Sequence, residues 1–180
     1  MAGTALFRRQ VMWRVGTVVA LHDETATART ITLEVSDWPT HVAGQHVDVR
    51  LTAPDGYSAV RSYSIASAPN SEKRVELTVE RLPNGEVSPY LTQEVAVGDR
   101  LELRGPIGGW FVWRPEDPGP VLLVAAGSGV VPLMAMVRAR AGASRAPFRM
   151  VHSVRTPADR IYGAERRRRA ADDGGVDVHR

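Results

Sequence analysis

The sequence predicts an all-β, six-stranded antiparallel barrel of Greek-key type with one short helix over residues 1–114, followed over residues 115–180 by a truncated α/β unit. Three observations lead there. The first hundred residues hold several runs in which apolar and polar residues alternate, the period of a strand with one face on a core and the other in water. A connector dense in proline and charge, Arg114-Pro115-Glu116-Asp117-Pro118-Gly119-Pro120, then interrupts that pattern. Beyond it the alternation is gone: Val121-Leu122-Leu123-Val124-Ala125 is continuously apolar, as in a parallel strand buried on both faces.

The alternating runs are Ile31–Val35, Val47–Leu51, Val75–Glu80 and Leu101–Arg104, with further strands expected near Trp13–Ala20 and Ala59–Ile65. Turn-forming residues separate them at Ala43-Gly44, Pro54-Asp55-Gly56, Pro69-Asn70 and Pro83-Asn84-Gly85. A closed barrel is the expected arrangement, because closure removes unpaired edges. Ser88-Pro89-Tyr90-Leu91-Thr92-Gln93-Glu94 breaks the β pattern with a serine N-cap and a proline at the first helical position. In the second part, Gly127-Ser128-Gly129 joins the apolar strand to a helix expected from Val131 to Ala141, with Leu133, Met136 and Val137 on one side and Arg138 and Arg140 elsewhere. A strand over Phe148–Val154, a helix over Ile161–Ala171 and the start of a third strand at Gly175-Val176-Asp177-Val178 follow. So few elements cannot cover both faces of an open sheet, so the unit is expected to be cut short or covered by something else.

Composition narrows the function. Hydrophobic residues make up 43% and charged residues 24%, the balance of a globular protein. A net charge of +3 is too small to point to nucleic acid, and the arginines are not interleaved with stacking aromatics. Cysteine is absent, which removes disulfides, thiolate zinc sites and cysteine-ligated iron–sulfur clusters from this chain. The five histidines, at 22, 41, 46, 152 and 179, have no spacing that pairs two on one helical face, so no metal site is expected. Arg8-Arg9 has the look of a twin-arginine signal, but Arg14 and Gly16 break the apolar run after it. With no run near the roughly 20 apolar residues that span a bilayer, no membrane insertion and a cytoplasmic location are expected. Arg166-Arg167-Arg168-Arg169 is read as the solvated face of a helix.

Four short patterns carry chemistry. Arg61-Ser62-Tyr63-Ser64, running into Ile65-Ala66, combines a cation suited to bidentate phosphate contact with a ring suited to stacking. Alone it equally suits a surface arginine beside a barrel-wall tyrosine. Gly85-Glu86-Val87-Ser88 opens the short helix, where free N–H groups favour anions; alone it equally suits a turn with an N-cap. Gly105-Pro106-Ile107-Gly108 ends the barrel, and Gly127-Ser128-Gly129-Val130-Val131-Pro132 follows the first parallel strand. Here the third glycine of the ordinary dinucleotide fingerprint is replaced by Pro132, which a first helical turn tolerates. In this order, with Gly44-Gln45 ahead of a barrel strand, the set resembles the ferredoxin–NADP reductase superfamily over nearly the whole chain.

That resemblance implies an FAD-dependent NAD(P)H oxidoreductase passing electrons to a ferredoxin or an iron–sulfur oxygenase component. It implies that Arg61 holds the FAD diphosphate, Tyr63 stacks on the isoalloxazine, and Ser64 bonds near the flavin N5, so that Tyr63 and Ser64 flank the reacting atoms. Ser62, Ile65 and Ala66 would line the flavin, and Gly85, Val87 and Ser88 would present N–H groups and a hydroxyl to the phosphates. Gly127, Ser128, Gly129 and Pro132 would receive NADPH or NADH. Ser153 and Arg155 stand where the family reads the adenosine ribose, and Arg155 is either a 2′-phosphate ligand favouring NADPH or a solvated loop residue. The family's Cys-Gly motif and its aromatic or acidic ending have no counterpart here, so a flavin-binding fragment without hydride transfer is the alternative. A flavin-free barrel used for protein interaction is another.

Overall fold

The computed structural model describes residues 11–69, 73–172 and 176–179; Arg8-Arg9, Asn70 and Gly175, which carried sequence expectations, lie outside them. Six antiparallel strands form where alternation predicts them: β1 (Trp13–Asp23), β2 (Ala28–Glu34), β3 (His46–Thr52), β4 (Ser58–Ser64), β5 (Arg74–Glu80) and β6 (Arg100–Ile107). Their order in the sheet is β4-β3-β6-β1-β2-β5. Ile31, Leu33, Val47, Val49, Leu77 and Leu103 point inward and are almost wholly buried. The helical turn at Tyr90–Glu94 plugs one end of this core with Leu91, flanked by Val87 and Val95.

Closure is incomplete, which corrects the expected barrel. The two end strands, β4 and β5, share no ladder; they meet only at the Ile65–Leu77 bridge and the bond from Ala66 N–H to the Glu76 carbonyl (2.7 Å). The sheet curls round and leaves a seam along β4. The seam lies on the N-terminal side of that bridge, where Ser58–Ser64 pair with β3 alone; just past it, Ala66 is wholly buried among residues of the second unit.

The second unit has three parallel strands, β7 (Val121–Ala126), β8 (Phe148–Ser153) and β9 (Val176–His179), in the order β7-β8-β9, with α1 (Val130–Ala143) and α2 (Gly163–Asp172). Residues 130–137 of α1 are all buried. An apolar stripe on one side was expected, but α1 lies between the parallel sheet and the barrel, and its cluster joins Leu123, Phe148 and Met150 to Ala28, Ala43 and Ala66. A helix enclosed on all sides has no use for amphipathicity.

Its arginines are therefore also inside. Arg138 donates two bonds to Glu165 (3.1 and 2.6 Å), one to Glu76 (3.0 Å) and one to the Ala66 carbonyl (2.8 Å), and its guanidinium stacks on the Tyr162 ring. Arg140 is buried against Phe148 and donates to the Ala146 carbonyl. The arginine run on α2 is corrected likewise: Arg167 and Arg168 are solvated, but Arg166 is buried over the Met150 sulfur.

The same contact hides the outer face of β2 and β5, which alternation assigned to water. Thr30 and Thr78 are cross-strand partners with hydroxyls 2.7 Å apart, and the buried Tyr162 hydroxyl donates to Thr78. Glu24 accepts from the Thr30 hydroxyl (2.8 Å) and from Tyr162 N–H (3.2 Å). On the far side of the parallel sheet Leu122 and Val124 remain 63% and 67% exposed, so the described residues cover one face only.

Arg138 is the main polar tie between the two units. Arg138→Met leaves Glu76 without its cation and Glu165 with Arg169 alone, and is expected to cost about 2–4 kcal/mol, because breaking a largely buried ion pair strands its partners. Urea unfolding followed by circular dichroism measures it.

Candidate functional site

The seam beside β4 gathers the first two motifs. In the β3–β4 ladder Arg61 faces Val49 and Tyr63 faces Val47. Both therefore lie on the face that turns toward the barrel core, with Arg61 at its open end. Tyr63 packs partly on that core, and burial pushes its phenol up to about 12, so the ring is neutral. Successive N–H groups of a strand point to opposite sides. Ile65 N–H goes to the Gln45 carbonyl on the β3 side (3.0 Å), which sends the peptide groups of Ser62 and the N–H of Ser64 into the seam. An edge of unpaired peptide groups beside a neutral ring suits a flat heterocycle with its own donors and acceptors.

Across the seam from Arg61 lies Gly85-Glu86-Val87-Ser88. Glu86, Val87 and Ser88 precede the first internal bond of the helix, Leu91 N–H to the Val87 carbonyl (3.1 Å), so their N–H groups have no intrahelical acceptor. Arg61 reaches this segment directly: Nη2 donates to Glu86 Oε2 at 2.5 Å. Tyr57, from the β3–β4 hairpin, donates to Glu86 Oε1 at 2.9 Å. Gly85 is there for space, since a Cβ would come within 2.8 Å of the Ser88 hydroxyl oxygen.

Several expected residues behave differently. Ser88 does not cap its own helix; its buried hydroxyl accepts Leu82 N–H (3.0 Å), leaving only its proton to give. Ser62 turns its hydroxyl away from Arg61 and Tyr63 to Asp48 (2.6 Å), which Arg104 also holds. Ile65 and Ala66 are fully buried with both N–H groups engaged in the protein, so neither donates to a ligand. Gly44-Gln45 and Gly105-Pro106-Ile107-Gly108 are one structural joint. Gln45 donates to the Gly108 carbonyl (2.6 Å), a Cβ on Gly44 would sit 2.1 Å from the Phe111 carbonyl oxygen, and one on Gly105 would sit 2.7 Å from Val47.

The parallel sheet supplies the other end. Gly127, with φ +50°, begins the tight turn into α1. Open space surrounds the Gly129 Cα, and Ser128 is partly exposed. Pro132 is buried in the first helical turn, where it shapes the helix start and faces no ligand. Beyond β8, Ser153 and Arg155 line an open cavity of about 420 Å³ with His152, Thr156 and Arg160. Arg155 is well exposed and 3.7 Å from Asp159. Sequence reasoning missed Tyr57, Glu86 and Arg160. Glu86 sat inside a quoted motif with no role, Arg160 follows a proline-started turn, and nothing local marks Tyr57.

Two histidines pin the loops that carry these residues. His41 Nε2 lies 3.1 Å from the Ser67 carbonyl while Trp38 donates to Nδ1; His152 Nε2 lies 2.8 Å from the Gly127 carbonyl. A carbonyl can only accept, so each ring is the Nε2–H tautomer. Burial lowers both pKa values, a stronger effect than the bonds that oppose it.

A barrel open along one seam is joined by the proline-rich connector to a parallel sheet whose first strand, β7, turns through Gly127 into α1. The profile of the oxidoreductase FAD-binding domain matches residues 16–112, more than half of the chain. This chain belongs to that family, within the ferredoxin–NADP reductase superfamily. It is 40% identical over 124 residues to the glycine betaine monooxygenase reductase subunit of Chromohalobacter salexigens, covering 68% of this chain and 33% of the relative. It is 37% identical to the NADH oxidoreductase HCR of Escherichia coli, covering 87% and 48%. The solved cytochrome P450 reductase GcoB from Amycolatopsis superposes with TM-score 0.81 at 30% identity, over 93% of this chain and 51% of that one. The chain thus spans between a third and about half of the length of these proteins. Among the described residues no helix is long and apolar enough to cross a membrane, and no cluster of side chains could hold a metal.

The neutral histidines set a pH dependence. Above the ordinary value of 6.5 neither state is protonated there. Below 6.5 the unfolded chain takes up protons that the native rings refuse, so stability falls as pH drops from about 6.5 to 5. Thermal midpoints across that range are expected to decline, and His41→Gln removes part of the slope.

Proposed function

We propose that the chain is the FAD-binding part of an NAD(P)H-dependent flavin oxidoreductase, with residues 1–114 forming the flavin unit and 115–180 the start of the nicotinamide unit. One observation carries the reading: Arg61, two residues before Tyr63 on β4, reaches Glu86 in the segment whose Glu86–Ser88 amides have no intrahelical acceptor. The seam fits FAD by the chemistry of its groups. Arg61 and the amides suit a diphosphate, and the β4 edge with Tyr63 suits the ring system. When bound, FAD supplies the chemistry, taking a hydride from the nicotinamide and releasing its electrons one at a time.

The side chains position and shield. Arg61 would orient the diphosphate, Tyr63 would cover the ring system and exclude water, and the Ser64 N–H would be available to it as a donor. His152 fixes the Gly127 carbonyl, so the turn through Ser128 and Gly129 stays open for the second dinucleotide. Arg155 and Arg160, with Ser153 between the walls of one cavity, favour NADPH, because a 2′-phosphate adds the charge that two guanidiniums would recognise. The reductase names among its relatives support an oxygenase component or a ferredoxin as electron acceptor.

FAD titration followed by flavin fluorescence tests the site. Arg61→Ala is expected to weaken binding about 10- to 100-fold, the loss of one or two charge-assisted bonds. Wild-type affinity in that variant, or no binding by the parent, ends the reading. Anaerobic mixing with NADPH separates the enzyme from a binding fragment, which would hold flavin that never bleaches. Arg155→Gln is expected to weaken 2′,5′-ADP binding about tenfold and leave ADP unchanged. Isothermal titration measures both.

A further inference from the structure

Glu86 stands among the groups that the flavin reading assigns to the diphosphate, yet it carries the same sign of charge as that ligand. Its carboxylate is held from two sides: Arg61 Nη2 donates to Oε2 at 2.5 Å and the Tyr57 hydroxyl donates to Oε1 at 2.9 Å. The bond to Glu86 raises the Tyr57 pKa, which keeps that donor protonated. The other amino group of Arg61 is turned back to the Val60 carbonyl at 2.7 Å. A guanidinium grips a phosphate with two parallel N–H groups, and here one amino group is on a carboxylate and the other on a carbonyl. The ion pair is not part of any core, since the two side chains are 53% and 49% exposed. It joins the β3–β4 hairpin, through Tyr57 and Arg61, to the loop that follows β5, across the mouth of the seam.

We infer that Glu86 is a built-in competitor for Arg61, and that with Tyr57 it sets how tightly the seam takes an organic diphosphate. This rests on the flavin reading above. For the diphosphate to be gripped bidentately, Arg61 must leave Glu86. The carboxylate keeps the Tyr57 hydroxyl and then lies beside the ligand's negative charge. The lost pair and the new like-charge contact both weaken binding, and both disappear when residue 86 is neutral. The observed affinity is the intrinsic affinity reduced by the fraction of molecules in which Arg61 is free. For a half-exposed pair plus one repulsive neighbour, the combined effect is roughly tenfold.

The test is FAD titration of flavin-stripped protein, wild type against Glu86→Gln, Glu86→Ala and Arg61→Ala, in low and in molar salt. Glu86→Gln and Glu86→Ala are expected to bind FAD roughly tenfold more tightly than wild type in low salt, with unchanged thermal midpoints before flavin is added. The difference is expected to shrink in molar salt, where exposed charges are screened. A purely structural role for Glu86 would produce no such salt dependence. If wild type binds, Arg61→Ala weakens binding and both Glu86 variants bind equally or more weakly, the competitor is overturned and the flavin site stands. If nothing binds, or Arg61→Ala binds as wild type does, the flavin reading fails and takes this inference with it.

Discussion

The missing ladder between β4 and β5 is the constraint on which the rest of the structure depends. Hydrogen-bonded along their whole length, those strands would close the barrel and hide the peptide groups of Ser62 and Ser64. Unpaired strand edges carry a cost when nothing covers them. Here the two strands meet at one bridge, Ile65–Leu77, and groups from outside them fix that end: Arg138 of the second unit takes the Ala66 carbonyl and Glu76, while His41, ahead of β3, takes the Ser67 carbonyl. The seam is a built feature, anchored at its far end by groups from two other elements.

That anchoring explains why the two units share one core. Residues 130–137 of α1 are buried on every side because the helix is enclosed between the parallel sheet and the barrel, and Arg138 just beyond them has its charge answered from both units. Largely desolvated cations persist only where carboxylates and carbonyls converge on them. Arg138 meets that condition through Glu76 on the barrel and Glu165 on α2. Tyr162 closes the arrangement by covering Thr78. Any movement of the parallel-sheet unit relative to the barrel would have to break this set of contacts, so the seam and the Gly127 turn are held in a fixed relation.

Charge in the site is arranged with less economy. Arg61 is balanced by Glu86 and not left ready for a ligand, and Ser62 belongs to an outward set in which Asp48 holds both Ser62 and Arg104. The motif Arg61-Ser62-Tyr63-Ser64 is therefore two motifs interleaved by the pleat. Its odd members face the seam, while the Ser62 hydroxyl secures the outer wall of the barrel. Likewise Gly44-Gln45 and Gly105–Gly108 serve each other, where close backbone approach leaves no room for a Cβ.

By itself the sequence determined the six strands, the connector, the glycine turn and the order of the motifs, because each rests on contacts within a few residues: alternation, turn chemistry and capping. Only the tertiary structure decided which polar residues are buried. Thr78 and Arg166 read as solvent-facing, and Arg138 and Arg140 as lying off the apolar side, because periodicity assumes one buried face per element and has no knowledge of a second neighbour. Val47 and Tyr63 could be paired from the strand pattern, but Tyr57 with Glu86, 29 residues apart, could not. The open seam was equally out of reach, since an alternating strand has the same sequence whether its outer edge is paired or free. Edge pairing depends on where the neighbouring strand runs, and here β5 is laddered to β2 and meets the β4 end only at Ile65.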